Sequence, residues 1–164
     1  MSTRWLSETI YVAPSVIDKV GIFTSTPLLA GDMVYRVKGR YVKGEFSETF
    51  AKMYPNWIGV SKEMWLDPEP KNPMIFMNHS CEPNAIVTEG LRVIALKPIM
   101  ADEEILMDYS TTEIDPYWDM ACTCNSPICR KTIRSFQFLP ADMRRAYQPH
   151  MLSSLLVEML ISVT

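Results

Sequence analysis

Residues 72–87 read NPMIFMNHSCEPNAIV, and the fold turns on one feature of them. Four polar side chains, Asn78-His79-Ser80-Cys81, directly follow the apolar run Met74-Ile75-Phe76-Met77. Polar residues in a row make a poor core segment, and an apolar run makes an odd surface loop. Cys81 adds a further constraint, because the chain has only 4 cysteines. The other three are clustered downstream as Cys122-x-Cys124-x4-Cys129. Thiolates so close in sequence repel unless a cation holds them, and zinc takes four ligands at ~2.3 Å. The loop supplies three, and Cys81 is the one remaining cysteine. The reading is a structural zinc site on Cys81, Cys122, Cys124 and Cys129, with unligated buried thiols as the alternative. Four protein ligands leave no open position for catalysis by the metal.

Around this stretch the first 110 residues read as short strands separated by turns. ETIYVAPS and VGIFTS are β-branched and aromatic, MVYRVKG alternates, and Gly31, Gly39 and Gly44 punctuate them. NWIGVS with EMWLD, and AIVTEG with LRVIALKP, read as hairpins, the second turning at Glu89-Gly90. EEILMDY reads as one more strand. FSETFAKMY is a short helix with Ser47 as N-cap and Phe46, Phe50 and Met53 on one face. Beyond Tyr117 come the cysteine loop, a helix opening at Pro140 and a terminal helix after Pro149. The expected architecture is mostly β, with small sheets, a C-terminal zinc loop and short helices.

Composition agrees with a single domain of ordinary size. The 164 residues are 48% apolar and 21% charged, and 12 prolines favour short elements over a helical bundle. A net charge of -3 leaves no electrostatic footprint for direct nucleic-acid binding and favours a basic partner. The N-terminus lacks the pattern of a secretory signal, and MLSSLLVEMLISV is short for a bilayer span and interrupted by Glu158. A soluble, intracellular protein with no membrane partner is expected.

Taken together, Asn78-His79-Ser80-Cys81-x-Pro83-Asn84, then Glu103-Glu104-Ile105-x-x-Asp108-Tyr109, then the cysteine loop followed by Arg130 resemble the SET-domain protein lysine methyltransferases that carry a post-SET zinc loop. The motifs come in the family's order over roughly residues 8–133. The resemblance implies a SET fold over 1–120, a post-SET zinc loop over 121–134 and a C-terminal helical segment over 135–164. In that fold the Asn-His segment and the strand leading to Tyr109 thread together as a pseudoknot, a rare topology. Three positions depart from the family. Lys19 stands where the first glycine of Gly-x-Gly is common, Ile75 where arginine is frequent, and Asp102 where glycine precedes the paired glutamates.

The resemblance also implies roles. Methyl transfer from S-adenosylmethionine needs a neutral lysine amine, and at pH 7 exposing it costs about 4 to 5 kcal/mol. A narrow, desolvated channel beside a sulfonium lowers that cost, and the rest is in-line positioning. Tyr109 is expected to orient the methyl. Gly21, Ile22, Phe23, Asn78 and His79 are expected to hold the donor, and Asn84 to cap a turn. Met107 and Val87 are expected to line the substrate channel; neither has a hydroxyl, which implies room for di- or trimethylation. Asp102, Glu103, Glu104, Asp108, Glu113, Asp115 and Asp119 suit a basic peptide such as a histone tail. Met151, Leu155, Leu156, Met159 and Leu160 form a helical apolar stripe that packs on its own domain or, in a homodimer, on a second copy. Two other functions compete: a non-catalytic zinc-clamped module binding basic peptides, and a cysteine hydrolase built on His79 and Cys81.

Overall fold

β-Branched and aromatic runs become strands here because they fit a pleated, half-buried surface. In the computed structural model, which describes residues 4–53 and 57–161, the chain begins with β1 (Arg4–Trp5), β2 (Ile10–Pro14), β3 (Val20–Thr24), β4 (Met33–Arg36) and β5 (Gly39–Lys43). Helix α1 (Glu48–Met53) leads to β6 (Ile58–Ser61) and β7 (Met64–Pro68). Then come β8 (Asn78–His79), β9 (Ala85–Thr88), β10 (Arg92–Ala95) and β11 (Leu106–Met107). β12 (Asp119–Ala121) and β13 (Thr132–Arg134) precede α2 (Ala141–Tyr147) and α3 (Ser153–Ile161).

The strands form small sheets, in the orders β1-β2-β3, β5-β7-β6 and β12-β13, around a central sheet ordered β4-β10-β9-β11-β8. The expected hairpin of β9 and β10 turns at Gly90, whose φ of 68° is the left-handed backbone that glycine adopts without strain. β11 lies between β8 and β9 and runs parallel to both. Residues 80–84, which join β8 to β9, must therefore pass around it. Ser80 N donates to Met107 O at 2.9 Å and Asn84 N to Leu106 O at 3.1 Å. This is the pseudoknot, and it explains the polar run after Met77: those groups hydrogen-bond a threaded strand. Asn84 does more than cap a turn. Its Oδ1 accepts from Leu106 N at 2.8 Å, and its Nδ2 donates to Glu104 O at 2.8 Å.

Three elements are shorter than their sequences suggest. EEILMDY is not one strand. Glu104 forms an isolated bridge with Phe23, pairing resumes at Leu106–Met107, and Tyr109 opens a 3-10 turn over Tyr109–Thr112. Asp108 ends the strand by capping that turn, its Oδ1 accepting from Ser110 N at 3.1 Å. Helix α1 starts at Glu48, after Ser47, whose Oγ accepts from Phe50 N at 3.1 Å as an N-cap should. Phe50 seats the helix on Trp65, ring centroids 4.6 Å apart; the Met53 side chain lies outside the described residues. Helix α3 starts at Ser153, because Gln148–His150 make a 3-10 turn first.

β9 divides the interior in two by strand alternation. Ala85 and Val87 face the main core with Ile22, Leu66 and Ile105. Ile86 faces the other way, into a second core with Ile114, Phe136, Leu152 and Leu155. Among the described residues no helix is long and apolar enough to cross a membrane.

Candidate active site

The crossing point places Tyr109 one residue beyond Asp108, where the chain leaves the central sheet. Its backbone N–H donates to His79 Nδ1 at 3.2 Å, and its phenol donates to Met77 O at 2.6 Å. Burial raises the phenol well above its ordinary range, and the negative Asp18 and Glu104 push it further. Tyr109 therefore stays protonated at neutral pH and acts as a donor. His79 is also buried, which lowers its pKa to about 4; Asp108 pulls against that shift and Arg130 adds to it. The imidazole is neutral at pH 7.

Tyr109 stands between two cavities. One is bordered by Ile17, Asp18, Asn78, His79, Tyr109 and the Cys122–Cys124 segment. The other is walled by Trp57, Met74, Met77, Tyr109, Thr112, Glu113 and Trp118. The first is polar and carries a carboxylate, which suits a cationic donor. The second is narrow and aromatic, which suits an alkylammonium chain.

The cysteines meet beside the first cavity. Cys81 Sγ and Cys129 Sγ lie 3.9 Å and 3.6 Å from Cys122 Sγ. A tetrahedral zinc ion with ~2.3 Å bonds places its sulfurs about 3.8 Å apart, and the two separations bracket that value. His79, Cys81, Cys122 and Cys124 bring one donor atom each within 4.8 Å of one another. Burial raises the Cys124 thiol, but N–H groups of Cys81 and Ser126 and the neighbouring thiols outweigh it and bring the pKa down to about 7. The donor set fits a zinc ion. Arg130 ties the cluster to the site: Nε reaches Cys81 Sγ at 3.3 Å, and Nη2 reaches the fully buried Asp108 at 2.6 Å. The hydrolase reading loses ground on the same atoms. His79 Nε2 is 3.4 Å from Cys81 Sγ, yet burial raises that thiol instead of activating it, although Arg130 opposes the shift.

Comparison with known proteins bears on this geometry directly. The family model described as SET domain matches residues 19–110, more than half of the chain. This chain belongs to the SET-domain family. It is 26% identical over 145 residues to Histone-lysine N-methyltransferase trr of Drosophila melanogaster, covering 80% of this chain and 6% of that protein. It is 29% identical over 136 residues to Histone-lysine N-methyltransferase, H3 lysine-4 specific, of Schizosaccharomyces pombe, covering 74% and 15% respectively. The chain thus spans a small fraction of the length of the curated relatives it matches. Among solved structures, KRYPTONITE in complex with mCHH DNA, H3(1-15) peptide and SAH superposes with a TM-score of 0.57 at 23% identity. The match covers 76% of this chain and 29% of that one, and the likeness shows the shared fold.

Within the SET framework two departures become intelligible. Lys19 and Asp102 have φ values of 30° and 63°, so both hold a left-handed backbone that glycine adopts without strain. Gly21 is needed for close approach: a Cβ there would lie 1.9 Å from Glu104 Oε1. That carboxylate instead accepts from Asn78 Nδ2 at 2.8 Å. Ile22 and Phe23 sit on β3, with Ile22 wholly buried in the main core. Neither they nor Gly21 border the donor-side cavity. Met107 and Val87 are both buried in the main core, where β11 and β9 turn their side chains inward, and they border neither cavity beside Tyr109. The aromatic cavity is lined by Trp57, Met74, Met77, Thr112, Glu113 and Trp118, of which the sequence pointed only to Glu113, as one of the acidic set. The pairing of rare tryptophans with an acid just past the Asp-Tyr motif was the available signal.

Proposed function

We propose that this chain is an S-adenosylmethionine-dependent protein-lysine methyltransferase acting on a basic tail, with a histone tail as the first candidate. The observation that carries the reading is Tyr109 lining two chemically different cavities at a SET crossing. S-adenosylmethionine supplies a methyl activated on a sulfonium. The chain's own groups position the partners: Asn78 and His79 border the donor side, and the charges of Asp18 and Glu104 favour a cation there. The β3 segment Gly21-Ile22-Phe23 supports that side through Glu104 and the β2–β3 pairing. On the other side, Trp57 and Trp118 enclose the lysine side chain and exclude water, so that its amine meets the phenol of Tyr109.

Zinc held by Cys81, Cys122, Cys124 and Cys129 clamps the cysteine loop against the donor side. His79 accepts Tyr109 N–H at Nδ1, so its proton sits on Nε2, which faces Cys81 as a donor. That argues for Cys129, not His79, as fourth ligand. Among the described residues no second tyrosine lines the aromatic cavity. Di- or trimethylation is the product we favour, since Met107 and Val87 bring no hydroxyl to the positions the family resemblance assigns to the channel. Labelled methyl transfer onto mixed histones, with Tyr109→Phe beside the unaltered chain, tests the reading. Incorporation lost in the variant supports it. The non-catalytic module is the competing reading, kept open by Lys19, and calorimetry finding no binding of S-adenosylmethionine would favour it.

A further inference from the structure

Tyr109 cannot take a proton from a lysine ammonium, since its own proton is held and is donated to Met77 O. Something else can. Glu113 follows the 3-10 turn of Tyr109–Thr112 and lines the same aromatic cavity as Tyr109, Trp57 and Trp118. It is 8% exposed. Among the described residues both hydrogen bonds to this carboxyl, from Ile114 N at 2.8 Å and Asp115 N at 2.7 Å, land on Oε1. A separate small cavity is bordered by Glu113, Asp115, Trp118 and Phe50. There Asp115, 1% exposed, has an Oδ2 with no hydrogen-bond partner among the described residues. A buried carboxyl on the wall of an aromatic cavity, with a second buried carboxyl two residues beyond it, makes a receptor for a cation.

We propose that Glu113 is the proton acceptor for the substrate lysine, receiving the ammonium in the aromatic cavity and removing one proton before methyl transfer. The inference rests on the methyltransferase reading above. In the step an N–H bond of the ammonium breaks, an O–H bond forms on Glu113, and the nitrogen keeps the electron pair for attack on the sulfonium methyl. The carboxyl then returns its proton to water. Burial, and secondarily the charge of Asp115, raise Glu113 from 4.5 to about 7, against the two N–H bonds, so it is poised to exchange protons near neutrality. The other groups facing it are Tyr109 in the cavity and Phe50 and Ala51 of α1. Glu48 and Lys52 of that helix border a separate groove with Asp119 and Arg134.

The test is the pH profile of methyl transfer to a histone-tail peptide, from about pH 6 to about pH 10, for the intact chain and Glu113→Gln. Gln keeps an acceptor for both N–H bonds. Transfer by the variant should fall about 100-fold at pH 7, with the gap closing toward pH 10 as the lysine supplies its own neutral amine. A peptide bearing aminoethylcysteine, a less basic amine, should partly rescue it. An unchanged rate, or one lowered equally at every pH, overturns the proposal. If the variant does not fold, Glu113→Asp carries the test: a displaced limb near pH 7 supports the proposal and an unmoved one overturns it. No transfer by the intact chain overturns the methyltransferase reading and this inference with it. An active chain with an indifferent Gln variant overturns this inference alone.

Discussion

Lys19 holds a backbone that costs an L-residue about 1–2 kcal/mol, with its φ of 30°. Glycine removes that strain but brings about 0.5–1 kcal/mol of extra chain entropy to the unfolded state. Lys19→Gly should therefore stabilise the fold by roughly 0.5–1 kcal/mol, read from urea denaturation. A loss of stability would mean that the lysine side chain makes up the difference. Glu113 gives a pH-dependent prediction. Its folded pKa, about 7, lies above its unfolded value of 4.5, so the folded state keeps a proton the unfolded state releases. Its contribution is full below about pH 4.5, falls as pH rises to about 7 and is flat beyond. Glu113→Gln removes this slope, and at pH 8 should be the more stable protein by up to about 3 kcal/mol. Equal effects at pH 5 and pH 8 would contradict the burial of that carboxyl.

At the scale of elements, the β12–β13 ribbon and its cysteine loop are joined to the central crossing by a set of hydrogen bonds in which Arg130 is prominent. Asp108 is fully buried, and Arg130 is its close charge partner. Arg130→Met leaves that carboxylate uncompensated, which should cost ~3–5 kcal/mol. Because Arg130 also contacts Cys81, zinc retention against a chelator should weaken about 10- to 100-fold. Metal analysis of the variant and the intact chain checks both parts, and equal retention sinks the link. Much of this arrangement was legible in advance. Cysteine spacing pointed to the cluster, and the glycine at 90 to the β9–β10 hairpin, because each depends on local chemistry. EEILMDY misled because its β-pattern is local while its path is set by threading, which confines pairing to Leu106–Met107. Alternation says that the side chains of Met107 and Val87 face inward, but not whether inward is a channel or a core. Trp57 and Trp118 escaped notice because they reach the Tyr109 cavity from different elements.

Across the whole molecule, the C-terminal segment decides whether the fold closes on itself. Met151 and Leu155 are buried, and Leu156 packs partly against the second core; the side chains of Met159 and Leu160 lie outside the described residues. Helix α3 lies on β6, where Leu155 Cδ2 would meet a Cβ added at Gly59 at 3.8 Å and Thr112 O would meet it at 2.8 Å. The small residue at 59 thus lets the Tyr109–Thr112 turn and the terminal helix share one seat. Ser153, at the start of the helix, donates to Glu89 beside the β9–β10 turn. A stripe already used in this way leaves less for a homodimer seam. Leu155→Ala should cost ~2–5 kcal/mol, since the fully buried site cannot collapse around the missing atoms. The loss should appear as a lower urea midpoint with an unchanged slope. Removing residues 150–164 should likewise lower stability while light scattering reports the same number of chains per particle. A particle that halves on truncation, with each chain as stable as before, would assign the stripe to a dimer instead.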